Sequence, residues 1–385
     1  MRPLDGILVV SLEQAIAAPY CTRLLADQGA RVIKVERPDG GDFARSYDTR
    51  ARGLSSHFVW TNRSKESLAL DLKDDGDRSA LLTILRKADI FVQNLAPGAA
   101  DRLGLSGEKL RAANPKLITC AITGYGKGGP DEIRKAYDLL VQAESGFLSV
   151  TGMEESMAKA GISIADIAAG VSAYQAILAA LLMRGRTGKG DHIEISMLEA
   201  MAEWMGFPMY YAMDGQTPPP RSGAGHATIY PYGPYETRDG TIFLAIQNDR
   251  EWRAFAAELL RRPDLANDRR FVGNEGRAAH RDSLEPVIRS VLGALASKEA
   301  LAGLEAAGIA TARVNDMAGL WNHPQLAARG RWAEFGSPVG PLQGLRPVTG
   351  GGWEPRLDPV PALGEHTDAI LAEFGLPPRA GKTRK

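Results

Sequence analysis

PLDGILVVSLEQAIAAPYCTRLLADQGARVIKVERPDGGD, residues 3–42, is the stretch that decides the fold. Gly6 to Leu12 is a short apolar run of the length a buried parallel strand takes. From Tyr20 to Gln28 the residues Leu24, Leu25 and Gln28 fall on helical spacing, and Arg31 to Val35 returns as a second strand. Strand, helix and strand in that order form one βαβ unit, the opening of a doubly wound sheet. A dinucleotide site would place G-x-G-x-x-G in the first strand-to-helix turn. Here that turn runs from Glu13 to Pro19 without a glycine, which disfavours nicotinamide and flavin chemistry.

Outward from this unit the alternation continues. Ser67–Leu72, Asp89–Gln93, Leu117–Thr123 and His192–Ser196 read as strands, with helical stretches at Asp77–Lys87, Ala99–Leu105, Glu108–Ala113 and a long apolar Ile167–Met183. Past Met205 the texture changes to Pro218-Pro219-Pro220, Ser222-Gly223-Ala224-Gly225 and Pro231-Tyr232-Gly233-Pro234, which reads as a linker over 206–230. A smaller α+β unit is expected over 231–320, with a strand pair around Gly240 and amphipathic helices at Glu251–Arg261 and Leu284–Leu295. A second Gly/Pro-rich passage, Phe335–Pro355, precedes a last helix at Asp368–Phe374. Residues 1–205 with 325–385 then form one large domain into which the small one is inserted.

Composition excludes a good deal. Lys plus Arg equals Asp plus Glu at 46 each, so no field of one sign recruits nucleic acid or an anionic membrane. No unbroken apolar run approaches the roughly 18 residues of a membrane span, and MRPLDG leads into a strand rather than a signal peptide, so a cytoplasmic, soluble protein is expected. Two cysteines, Cys21 and Cys120, make no disulfide framework and suit a reducing compartment. The six histidines are scattered, so no protein-held metal is expected. The glycine-rich segments Gly185–Gly190, Gly124–Pro130 and Pro38–Asp42 lack phosphate-loop spacing or context and read as ordinary turns.

Gly161-Ile162-Ser163-Ile164-Ala165-Asp166, just before the long apolar helix, is the segment suited to covalent chemistry. The plain reading of Asp166 is a helix N-cap accepting a first-turn amide. The functional reading uses the same geometry: a carboxylate held ionised by the helix dipole suits a nucleophile, and the free amides suit an oxyanion. Spacing alone does not choose between them.

Eight segments carry a resemblance: IAAPYCTRLLADQGARVIKVERPDGGDFAR from Ile16, NRSKESLALDLK from Asn62, VQNLAPGAADRLGL from Val92, ITGYGKGGP from Ile122, KAYDLLVQAESGFLSVTG from Lys135, TGKGDHIEISMLEAM from Thr187, PYGPYETRDG from Pro231 and PALGEHTDAILAEFG from Pro361. In this order and spread over the whole chain, they resemble the class III CoA-transferase family, also called CaiB/BaiF. The resemblance implies an α/β fold: a Rossmann-like large domain, an inserted small α+β domain and an interlocked homodimer. It implies no permanently bound cofactor, with coenzyme A and acyl-CoA as substrates and a small carboxylic acid as the other partner. It places the catalytic aspartate at Asp166, the pantetheine arm at Ile16 and Ala17, and the adenine end at Arg37. Further CoA contacts fall on Leu70 to Lys73, Asn94, Leu95, Ala96, Arg102, and Lys135 to Asp138, with Tyr137 and Asp138 near the thioester. The chain departs from the formyl-CoA transferases at Ile16, where those carry a glutamine, which puts in doubt any gating by a side-chain amide.

The bland reading of Arg37, Lys73, Arg102 and Lys135 is solvated surface charge; brought to the carboxyl ends of neighbouring strands they would meet phosphates. The expected reaction moves CoA from an acyl-CoA, with a lean to succinyl-CoA, to an acid such as itaconate, mesaconate or malate. It would pass through an aspartyl anhydride and an aspartyl-CoA thioester. Two alternatives stay open: an α-methylacyl-CoA racemase-like epimerase, whose pattern has a His where this chain has Tyr137, and a non-catalytic CoA-binding homodimer. His226, Arg221 and Arg63 are candidates to hold a second carboxylate, against a plain loop-surface role.

Overall fold

A computed structural model describes residues 1–348 and 351–378. The chain divides into two compact units, one made of residues 1–146, 160–205 and 326–385, the other of 147–159 and 206–325.

The first unit is built on β1 (Leu8–Leu12), α1 (Ala17–Asp27), β2 (Arg31–Glu36), α2 (Ser56–Asn62), β3 (Lys65–Ala69), α3 (Asp75–Leu85), β4 (Ile90–Gln93), α4 (Ala99–Arg102), α5 (Gly107–Ala113), β5 (Ile118–Thr123) and α6 (Asp138–Glu144). After α7 (Phe147–Val150) and the two-residue strands β6 (Gly152–Met153) and β7 (Ser156–Met157), which belong to the other unit, come α8 (Ile164–Thr187), β8 (His192–Ser196) and α9 (Met197–Trp204). Six strands form one all-parallel sheet in the order β3-β2-β1-β4-β5-β8. The order reverses between β1 and β4, and such a switch point opens a crevice outside the carboxyl ends of the strands. Val10, Leu12, Ile33, Val35, Leu68 and Phe91 pack one core with Leu81 and Ile84 of α3 and Ile370 and Leu371 near the C-terminus. The C-terminal segment is fastened to β3, where Ala69 donates its N–H to Thr367 Oγ1 at 3.0 Å.

Helix α8 packs against α1, α6, α9 and the sheet, with Ala165, Ala168, Ala169, Gly170, Ala173, Ile177 and Ala180 buried. Small residues allow the close approach: a Cβ on Gly170 would stand 2.7 Å from the Ala17 carbonyl oxygen. Contrary to the sequence expectation, this helix is long and apolar enough to cross a membrane, with a mean hydropathy of 1.6 over 18 residues. The expectation counted an unbroken apolar run, and Ser172 and Gln175 interrupt one without lowering the average much. A core helix covered on several sides meets the same criteria.

The second unit holds α10 (Gly206–Tyr211), a three-stranded antiparallel sheet of β9 (Tyr232–Thr237), β10 (Gly240–Ala245) and β11 (Ala310–Arg313), and helices that include Arg281–Ala294 and Ser297–Ala306. Ile242, Leu244, Trp252, Phe255, Leu284, Ile288 and Leu304 form its core. Three sequence expectations are corrected. Residues 206–211 are helical rather than linker. Tyr232–Pro234, read as loop, starts β9, because this is the edge strand, where a proline breaks no ladder on its open side. The passage Phe335–Pro355, read as irregular, holds the second strand of a hairpin of the first unit, Leu342–Leu345, which pairs with Trp332–Phe335.

Candidate functional site

The residues singled out from the sequence lie one loop after another along the carboxyl edge of the parallel sheet. Ile16 and Ala17 follow β1, Arg37 follows β2, Leu70 and Lys73 follow β3, Asn94, Leu95, Ala96 and Arg102 follow β4, and Lys135, Tyr137 and Asp138 follow β5. Arg37, Lys73, Arg102 and Lys135 are all exposed, one after each of four strands. Ile16 and Leu70 are buried at 2% and 1%, so neither presents a side chain at the surface of this edge. Asn94 is committed to the β1–α1 turn: its Oδ1 accepts from Gln14 N and its Nδ2 donates to Gln14 O, both at 2.9 Å. Leu95, Ala96 and Arg102 border a cavity of about 290 Å³ that runs down to Thr119 and His192.

Asp166 is the third residue of α8, not its N-cap, so the plain sequence reading is corrected. The cap comes from 28 residues upstream. Asp138 Oδ1 accepts from Ala165 N at 2.8 Å and from Asp166 N at 3.3 Å. Its Oδ2 accepts from Gln142 Nε2 at 2.7 Å, and Gln142 Oε1 in turn accepts from Ala160 N at 3.0 Å. The expectation that the α8 amides serve an oxyanion is thereby overturned, because Asp138 occupies them. The Asp166 carboxylate instead receives the backbone N–H of Ala17, the first residue of α1. That helix has no side-chain cap, so its first amides are left for a neighbour.

The expectation of a permanently ionised Asp166 is also corrected. Burial, and then the charge of Asp138, push its pKa up to about 7 against the opposing pull of the Ala17 amide. The helix dipole loses to desolvation and a like charge. Tyr47 stands in the same neighbourhood, its phenol pushed up to about 12 by burial and by Asp42 and Asp166, with its ring edge on His57 at 5.4 Å between centroids. Tyr137 is 65% exposed.

Sequence reasoning missed the buried charges beside this turn. Glu13, Lys34, Asp42 and Lys65 have fully buried side chains. Lys65 Nζ donates to Glu13 Oε1 at 2.6 Å, Lys34 Nζ to Asp42 Oδ2 at 2.7 Å, and Thr22 Oγ1 to Glu13 Oε2 at 2.6 Å. Burial lowers the Lys65 pKa to about 8 despite Glu13. Burial also opposes the charge on Lys34, yet Asp42 and Glu13 carry its pKa above the usual value. The segment Pro38–Asp42, read as an ordinary turn, therefore ends in a buried anchor. The available signal was Lys34 itself, a charge in the middle of the apolar strand VIKVE.

The candidates for a second carboxylate are otherwise engaged. Arg63 is buried and holds Asp27 through Nε and Nη2, both at 3.0 Å, while Arg221 donates to the carbonyls of Met153 and Glu154. His226 accepts from the amides of Thr228 and Ile229 through Nδ1.

The sequence profile of CoA-transferase family III matches residues 4–367. The chain is 35% identical to the acetyl-CoA:oxalate CoA-transferase of Acetobacter aceti, over 97% of this chain and 96% of the relative. It is 34% identical to the succinate–glutarate CoA-transferase of Agrobacterium fabrum over the same shares. The crystal structure of a CaiB/BaiF family protein from Brucella suis superposes with a TM-score of 0.85 at 34% identity, covering 97% of this chain and 99% of that one.

Proposed function

The chain belongs to CoA-transferase family III, and we propose that Asp166 moves CoA between two carboxylic acids by becoming acylated itself. An oxygen of its carboxylate attacks the thioester carbonyl of an acyl-CoA, and collapse of the tetrahedral adduct expels CoA thiolate and leaves a mixed anhydride. The thiolate attacks the aspartyl carbonyl, giving aspartyl-CoA thioester and releasing the donor acid. An incoming carboxylate then runs the same two steps backwards. Each step exchanges one activated carbonyl for another, so the sequence needs no net redox change.

The observation that carries this reading is the setting of Asp166: a carboxyl on the ligand-binding edge, pushed up to about 7, with the Ala17 amide aimed at it. A more basic carboxylate is a better nucleophile, and a pKa near neutrality leaves about half of it ionised at pH 7. The Ala17 amide is an oxyanion donor once the aspartyl carbonyl is attacked. Arg37, Lys73, Arg102 and Lys135 are the cations offered to the CoA phosphates.

The relatives act on oxalate, succinate and glutarate by name, which supports a small dicarboxylate as acceptor and succinyl-CoA or acetyl-CoA as donor. A homodimer belongs to the same proposal, supported by the exposed apolar run Phe207, Met209, Tyr210, Tyr211 and Met213. The deciding experiment incubates the protein with succinyl-CoA, adds hydroxylamine, and maps the modified peptide by mass spectrometry. A hydroxamate on Asp166 is expected; an unmodified Asp166 in a protein that still exchanges labelled succinate ends the covalent route.

A further inference from the structure

We propose that Asp42 is a positioning residue for this reaction: one buried carboxylate, held by Lys34, fixes both the turn that presents the Ala17 amide and the turn that presents Tyr47. The inference rests on Asp166 as the acylated group.

Four hydrogen bonds converge on Asp42. Its Oδ1 accepts from Ala15 N at 3.0 Å and from Ala44 N at 2.9 Å. Its Oδ2 accepts from Lys34 Nζ at 2.7 Å, and its own N–H donates to Glu36 Oε2 at 3.0 Å. The Ala15 bond bears on the loop after β1, the Ala44 bond on the loop after β2. Gln14 Oε1, which accepts from Phe43 N at 3.2 Å, ties the two loops together a second time.

The β1–α1 turn needs such a holder. Ala15 has φ +61°, a left-handed conformation that is strained for a non-glycine residue and persists only where its surroundings over-determine it. Two residues later the Ala17 amide meets Asp166. On the other side, Asp42 caps the single turn Phe43–Ser46, which delivers Tyr47 to the surroundings of Asp166. Asp42 has no exposed surface, so it acts only through the groups it holds. A lysine in the interior of a parallel strand has an explanation here: Lys34 neutralises the carboxylate and leaves its other oxygen for the two amides.

The test compares Asp42→Ala with Asp42→Asn, the latter made in a Lys34→Met background so that its amide meets no buried ammonium while its oxygen stays with the Ala15 and Ala44 amides and Lys65 retains Glu13. Exchange of labelled succinate with succinyl-CoA is measured on the full chain, with Asp166→Asn alongside. Asp42→Ala is expected to lower kcat by about thirtyfold or more with KM for the acyl-CoA held within about threefold, and Asp42→Asn to recover most of that loss. Parent-like kcat in both variants overturns the inference, as does a loss shared by kcat and KM alike in both. Should Asp42→Ala fail to fold by circular dichroism, Asp42→Asn decides: kcat within about threefold of the parent supports the inference, and a fall beyond about tenfold overturns it. An inactive Asp166→Asn beside a parent-like Asp42→Ala removes only the positioning role, whereas a fully active Asp166→Asn removes both readings.

Discussion

Two groups of charges touch the same turn between β1 and α1, and their environments are opposite. Glu13, Lys34, Asp42 and Lys65 alternate in sign, are wholly buried, and satisfy one another at 2.6–3.4 Å. Asp166 and Asp138 share a sign and have no cation bonded to either carboxylate among the described residues; amide groups alone hold them. Compensated charge in a low-dielectric interior fixes geometry, because removing one partner strands the other. Uncompensated charge stays poised to change protonation or to bond with something new. The two kinds meet at one turn, where Asp42 holds the Ala15 amide and Asp166 takes the Ala17 amide two residues on; in the reaction proposed above the first kind holds the turn and the second supplies the nucleophile.

Replacing Asp166 by Ala tests the reactive side most severely. An exchange rate lower by about 10³-fold or more is expected if a covalent route is lost, and a rate near the parent's erases the contrast. On the structural side, Lys65→Met leaves Glu13 with the more distant Lys34 and should cost about 3–5 kcal/mol in urea unfolding. A loss under about 1 kcal/mol would show the buried group to be as loosely held as Asp166 and Asp138.

The same contrast predicts opposite signs for stability. An acid whose folded pKa lies above its unfolded value is penalised when ionised, so this contribution falls as pH rises from the ordinary aspartate range to about 7 and stays low above it. Asp166→Asn should therefore stabilise the protein by up to roughly 4 kcal/mol at pH 8, about 1.4 kcal/mol for each of roughly three pKa units, and by almost nothing near pH 4, read as midpoint shifts in urea. Destabilisation at pH 8 would place Asp166 with the structural group. The smallest effect is electrostatic. Asp138→Asn keeps an acceptor for the α8 amides but removes the like charge, so the acid limb of kcat, expected near pH 7, should move down by roughly one unit. An unmoved limb would leave burial as the sole cause of the raised pKa.

Much of the parallel sheet was legible because its signals are local. Apolar runs of strand length and 3.6-residue spacing located β1, α1, β2 and β8 to within about three residues. The misreadings came where tertiary context overrides local chemistry, as at Pro234, which reads as a breaker until β9 is known to be an edge strand. The candidate site was legible as a set of residue types, and the family resemblance brought in positions that spacing alone would not have found. Its electrostatics were not legible. Helix-start statistics made Asp166 an ionised cap, whereas Asp138 caps the helix and Asp166 faces another helix's first amide.

By itself, then, the sequence determined the order and type of the elements of the large unit, since backbone periodicity is read within a window of a few residues. Only the tertiary structure decided which charges are compensated: Lys34 finds Asp42 across a loop, Lys65 finds Glu13 across 52 residues, and Asp138 comes to lie beside Asp166. Coulomb and desolvation energies depend on distance in space and on burial, and neither is encoded in distance along the chain.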